Sequence, residues 1–345
     1  MGRKTKIGWT DATWNPVRGC SVVSAGCTNC YAQTMAARFA GPGEAYEGLI
    51  RWKSKVSGMY YDKKESAGDA TAHWSGKLRL VENHLLDPLR WKKPRKVFVN
   101  SMSDLFHENL AFEDIATVFG VMAAASQHTF QVLTKRPERA VEFFRWLEGQ
   151  KGGPSLHVAW EALRHEAETV GDSGPLHCQY GPAPNAAWPL PNVWIGVSVE
   201  NQRAANERIP LLLQIPAAIR FLSCEPLLES LDIRSWLYLW ECKVCSAHPD
   251  SMGLVQHGRG CYQVDSDGGG SSFEEPWARV DWVIVGAESG PKARGMDEDW
   301  VRSLRDQCVQ AGVPFFYKQK LDENGIKVEA PELDGKAWQE FPAAA

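Results

Sequence analysis

The sequence predicts an α/β protein built as a partial or complete (βα) barrel of parallel strands resembling a TIM barrel, with a small zinc-binding-type insertion. Three observations predict the barrel. Short apolar runs rich in β-branched and aromatic residues recur along the chain, helical patterns separate them, and polar residues collect where the runs end. Runs that are continuous rather than alternating mark strands covered on both faces, as parallel strands are. Strand–helix alternation builds βαβ units and hence a parallel sheet.

Taken in order, a first strand is expected near residues 6–14, ahead of a turn-rich loop. KVFVNS (96–101) precedes the helical AFEDIATVFGVMAAAS, and FQVLTK (130–135) precedes PERAVEFFRWLEGQ. VWIGVSVE (193–200) leads into QRAANERIPLLLQ, and IRFLSCEP (219–226) is the next strand. WVIVGAES (282–289) leads into MDEDWVRSLRDQCVQAG, and VPFFYKQ (313–319) is the last strand. That final helix has acids in its first turn and Gly312 just past its end, as helix termini favour. Residues 41–90, 150–191 and 234–277 break the alternation, the last two as loop-rich insertions. The barrel is therefore expected over residues 1–320, with 321–345 as a C-terminal tail.

The 345 residues are 44% hydrophobic and 23% charged, ordinary values for a globular chain. Apolar runs such as VWIGVSV are too short to cross a bilayer. The basic MGRKTKIGWTD lacks the apolar stretch of a signal peptide. Nine cysteines without an export signal point to reduced, metal-binding thiols, so a cytoplasmic protein with no membrane partner is expected. A net charge of −4 excludes a surface basic all over but leaves room for a local nucleic-acid groove. RWKKPRK (90–96) carries five cations in seven residues, suited either to phosphate contacts or to a solvated linker. Trp194 and Trp282 lie in strand runs and are expected in the core. Trp52 and Trp74 lie in polar segments, where they could stack on a base or cover the surface.

The polar strand ends are Ser101 and Asp104, Lys135, Ser198 and Glu200, Cys224 and Glu225, Glu288 and Ser289, and Lys318. Ligands of α/β folds bind at the carboxyl ends of strands. Burying each of these groups unpartnered would cost about 1–3 kcal/mol, so a shared site is the economical reading.

Cys20, Cys27 and Cys30 sit in WNPVRGCSVVSAGCTNCYAQTMAARF. Three closely spaced thiolates suit an iron–sulfur centre with one coordination position left over. Gly19 and Gly26 let the backbone wrap tightly around it. A structural zinc completed by a remote ligand, or three unrelated thiols, are the alternatives. A second set, Cys242-x2-Cys245-x11-His257-x3-Cys261, has the spacing of a small tetrahedral zinc site. His248, or His177 with Cys178, could replace His257, and a loop with stray thiols is the alternative. Cys308 follows Trp300 and Leu304 at intervals of four and belongs to the core. Cys224 is either a small buried residue or a catalytic thiol facing the mouth, placed to donate a hydrogen atom.

The three-cysteine loop after a first strand, followed by repeated βα units, resembles the radical S-adenosylmethionine (SAM) superfamily. More closely, VFVNSMSDLFHE, FQVLTKRPER, VWIGVSVENQ, RFLSCEPLL, WVIVGAESG and GVPFFYKQ together resemble a phage- and prophage-associated family distantly similar to spore photoproduct lyase. The resemblance covers roughly residues 7–140 and 190–320. It implies that Cys20, Cys27 and Cys30 hold three irons of a [4Fe–4S] cluster whose fourth iron binds SAM, and that an electron donor such as flavodoxin or ferredoxin reduces it. Reductive cleavage would then yield a 5′-deoxyadenosyl radical. Ser101 and Asp104 lie where the superfamily contacts the SAM amino group, Ser198 and Glu200 where it contacts ribose or carboxylate, and Glu288 near the adenine; Lys135 completes the set. Six residues separate the first two cysteines where three are usual, and Asn29 rather than an aromatic residue precedes the third. The expected activity is modification or repair of a DNA or RNA base. A peptide or small metabolite as substrate, or a non-enzymatic zinc module, are the competing readings.

Overall fold

The computed structural model describes residues 5–169, 187–238, 263–264, 270–271, 278–290 and 292–343. Seven strands follow one another in space in chain order, all parallel: β1 (Ala12–Trp14), β2 (Lys96–Val99), β3 (Thr129–Thr134), β4 (Val193–Ser198), β5 (Ile219–Cys224), β6 (Trp282–Gly286) and β7 (Phe315–Leu321). β8 (Lys327–Glu329) returns antiparallel beside β7. Residues expected as a tail therefore finish the sheet: Leu333 is buried, and Phe341 stacks near Trp282 and Phe316. β1 and β8 do not pair, so the barrel is partial rather than complete.

The α-helices of six or more residues are α1 (Tyr31–Ala36), α2 (Phe112–Ala124), α3 (Pro137–Glu148), α4 (Gly153–Thr169), α5 (Gln202–Leu212) and α6 (Glu298–Ala311). Successive strand side chains point to opposite faces, so each strand contributes to two apolar layers. Val97, Val99, Phe130, Val132, Ile195, Val197, Val283 and Val285 pack with the apolar faces of α2, α3, α5 and α6. The alternate residues Phe98, Trp194, Phe221, Trp282, Ile284 and Phe316 join Trp9 in a separate inner cluster. Crossover helices on one face make the sheet curl around the other, and the aromatic cluster fills the inside of that half-barrel. Trp194 and Trp282 meet there edge to face, 5.9 Å between centroids, as core residues.

Two of the irregular stretches carry their own structure. Within 150–191, α4 packs along α2. Within 41–90, Ile50–Ser54, Tyr60–Tyr61 and Ala70–Trp74 form a three-stranded antiparallel sheet. Gln33 of α1 holds this sheet by donating from Nε2 to Ala72 O (2.9 Å) and accepting from Trp74 N (3.1 Å). α6 is capped as its sequence predicts: the Asp297 side chain accepts from Asp299 N, and Gly312 has φ of 63°. Among the described residues no helix is long and apolar enough to cross a membrane.

Candidate functional site

The loop between β1 and α1 carries Cys20, Cys27 and Cys30 and lies across the carboxyl ends of the sheet strands. The contacts that hold it come from four different strand ends. After β2, Ser101 O accepts from Tyr31 Oη (2.5 Å) and Ser103 bridges to Gly19. After β3, Arg136 Nη2 donates to Ser21 Oγ (2.7 Å) and to Ser21 O (3.3 Å). After β4, Glu200 Oε1 accepts from Gly26 N at 3.4 Å. After β6, Glu288 Oε2 accepts from Asn29 Nδ2 (2.9 Å), while Arg294 Nη2 donates to Ala25 O (3.0 Å). Gly19 takes φ of 96°, and a Cβ there would lie 2.1 Å from Lys77 O. Gly19→Ala is therefore expected to cost about 1–3 kcal/mol from backbone conformation alone, the clash adding to it, as urea unfolding would measure.

Beneath this loop lies a cavity of about 220 Å³. All three cysteines line it, together with Ser101, Asp104, Lys135, Ser198, Glu225, Glu288 and Lys318 from the strand ends. The convergence expected of those polar residues is observed, except for Cys224 and for Glu200, which lies behind the loop against Gly26. The apolar wall comes from Trp9, Phe98, Leu133 and Trp74.

Within this ring the acids divide by what they already bind. Asp104 accepts from Thr134 Oγ1 (2.7 Å), Phe106 N (3.0 Å), Lys135 N (3.0 Å) and Arg136 Nη1 (3.1 Å). Its oxygens are spent on joining the ends of β2 and β3. Glu200 is paired with Arg208 (2.8 Å), and Glu288 with Arg294 (2.6 and 3.0 Å). These three acids position the loop. Other groups are less committed: Lys135 Nζ donates to Ser198 Oγ (3.0 Å), Lys318 Nζ lies 2.7 Å from Glu225 Oε1, and buried Asn100 leaves Nδ2 without a partner on the cavity wall. Asn100 holds φ of 58°, uncommon outside glycine though tolerated by Asn.

Burial pushes the Cys20 thiol up to about 12, Asp104, Cys30 and Cys27 adding to it and Arg136 opposing. Metals bind the thiolate, so Cys20 needs a cation beside it to serve as a ligand. Burial disfavours ionised Glu200 and Glu288, yet Arg208 holds the first carboxyl below its usual range, and Arg294 with Asn29 holds the second. A depressed carboxyl stabilises the folded state above its unfolded pKa, about 4.3, and that stabilisation is lost as pH falls through the folded value. The loop is expected to keep its amide-exchange protection at pH 6 and to lose it only at a pH below the free carboxyl value of about 4.3. Protection at Gly26 that persists on acidification until the whole sheet unfolds would contradict the clamp role.

Cys224 is not in this cavity. Its neighbour Ser223 lines it, whereas Cys224 is 0% exposed on the helix-facing side, in the core with Val285 and Cys308. A one-residue step along β5 reverses the face, which removes Cys224 as a candidate hydrogen donor. RWKKPRK is also displaced: Lys96 opens β2 at the end away from the cavity, with Lys96 over the Phe341 ring (4.4 Å) and Arg95 over Trp91 (5.4 Å). Sequence reasoning missed Arg136, Arg208, Arg294 and Asn29. The arginines had one available signal, a cation six to eight residues after Glu200 and Glu288 or just after Lys135.

Cys242, Cys245, His257 and Cys261, like His248, His177 and Cys178, lie outside the described residues. Among the described residues, no three His, Cys, Asp or Glu side chains are placed to hold a single metal ion. No curated protein and no solved structure matches this sequence. A family model described as protein of unknown function (DUF5131) matches residues 4–342, which is nearly the whole chain including the cysteine loop and every sheet strand, and the chain belongs to that family.

Proposed function

We propose that this protein is a radical SAM iron–sulfur enzyme that modifies or repairs a nucleic-acid base. One observation carries the reading: three thiols of one loop face a single cavity at the carboxyl ends of a parallel half-barrel, and four strand ends hold that loop in place. Three thiols on one loop suit a cubane, in which each thiolate would take a different iron. When bound, the cluster and SAM would supply a 5′-deoxyadenosyl radical that abstracts hydrogen from the substrate.

The chain's own residues do the rest. Cys20, Cys27 and Cys30 would hold the cluster, and Ser101, Lys135, Ser198 and Asn100, on the cavity wall, would present polar groups to the sulfonium nucleotide. Asp104, Glu200 and Glu288 keep the loop over the strand ends. Trp9, Phe98 and Leu133 form an apolar floor that would hold the apolar parts of the bound groups and leave little room for solvent. Lys318 on β7 and Glu225 just after β5, which meet across β6, are placed to hold or move a proton on the substrate.

The deciding experiment is anaerobic reconstitution with iron and sulfide, followed by incubation with SAM and dithionite. Release of 5′-deoxyadenosine supports the reading. Protein that holds about four irons yet cleaves no SAM would rule it out.

A further inference from the structure

We propose that the outer face of the small antiparallel sheet is a stacking platform for single-stranded nucleic acid. This deepens the nucleic-acid half of the reading above and rests on it. Directly opposed residues of an antiparallel pair share a face, and the register sorts this sheet into two. Ile50, Trp52, Ala72 and Trp74 face α1 and pack around Ala36, Tyr46 and Leu49. Arg51, Lys53, Tyr60, Thr71 and His73 share the other side.

That outer face combines rings with cations. Tyr60, 44% exposed, meets His73 edge to face at 5.5 Å. The Arg51 guanidinium and the Lys53 ammonium each lie 5.5 Å from the Tyr60 ring. Burial and then Lys53 lower the His73 pKa, which favours the neutral ring at physiological pH. The acid beside the face is Asp62, 3.6 Å from Arg51 and 91% exposed, too solvated to neutralise it. A chain of net charge −4 that gathers two cations around an exposed tyrosine ring and a half-buried histidine on one sheet face has the chemistry for bases stacked on rings and phosphates paired with cations.

The platform also adjoins the cavity. His73 precedes Trp74, which ends the strand on the opposite face and lines the cavity wall. A strand on the outer face that turned around the sheet edge at Trp74 would bring its next nucleotide to the cavity, unstacked and open to chemistry.

Fluorescence anisotropy with labelled single-stranded DNA and RNA 12-mers and a duplex control tests this, with iron content measured on each sample. Single strands are expected to bind more tightly than duplex, and the preferred sugar identifies the nucleic acid. Tyr60→Ala is expected to weaken binding about tenfold, with rescue by Tyr60→Phe. Arg51→Gln/Lys53→Gln is expected to reduce the salt dependence of log K by about 0.7 per cation removed. Lys92→Gln/Lys93→Gln, at the far end of the sheet, is expected to change nothing. Absent binding, binding indifferent to the platform variants, or binding lost instead in the Lys92/Lys93 variant would overturn the proposal. Iron content reports the cluster separately, so failure of the platform and failure of the radical chemistry are distinguishable.

Discussion

Alanine at Cys20, Cys27 and Cys30 together is expected to take the anaerobically reconstituted protein from about four irons per chain to none. Colour and 5′-deoxyadenosine formation should disappear with the iron. Stability of the metal-free protein should hardly change, because the loop is fixed by Ser21, Gly26, Asn29 and Tyr31 rather than by its thiols. Iron analysis beside thermal unfolding separates the two effects. Cys308→Ala, buried behind β5, serves as the control that keeps its iron. A wild-type protein that carries zinc and no iron would favour the zinc module and sink the enzyme reading.

Asp104→Ala should behave in the opposite way. Asp104 is buried, accepts four hydrogen bonds and is the buried acid paired with Arg136, itself buried, at 3.1 Å. Removing one member of a buried pair leaves the other charge uncompensated, at a cost of about 3–5 kcal/mol. Arg136 retains Glu108 at 2.8 Å, but that carboxylate is largely exposed and compensates weakly. Because Arg136 also grips Ser21, the cysteine loop should loosen and iron retention fall along with stability. Urea unfolding and iron content measured on the same samples check this. A fully stable Asp104→Ala protein would mean that the hydrogen bonds joining β2 and β3 are dispensable.

The strands and the helices α2, α3, α5 and α6 were legible because their signals are local. Continuous apolar runs mark strands buried on both sides, and Gly312 and the acids of α6 mark its ends. The cysteine loop was legible for the same reason, as three thiols within eleven residues. The small sheet at residues 50–74 was not. Its strands are short, and its inner face is buried by α1 and Tyr46 rather than by the main sheet, so no clean period survives. β8 was missed because Lys-Val-Glu gains its strand character from the edge of β7.

The sequence by itself determined a parallel α/β scaffold, a three-thiol loop at its start and a ring of polar strand ends. Only the tertiary structure decided which of those polar groups are free. Asp104, Glu200 and Glu288 are consumed by arginines six to thirty-two residues away, and pairings over such separations leave little periodic trace in the chain. It also decided the faces: a strand reverses its side chains at every residue, so one step puts Ser223 in the cavity and Cys224 in the core.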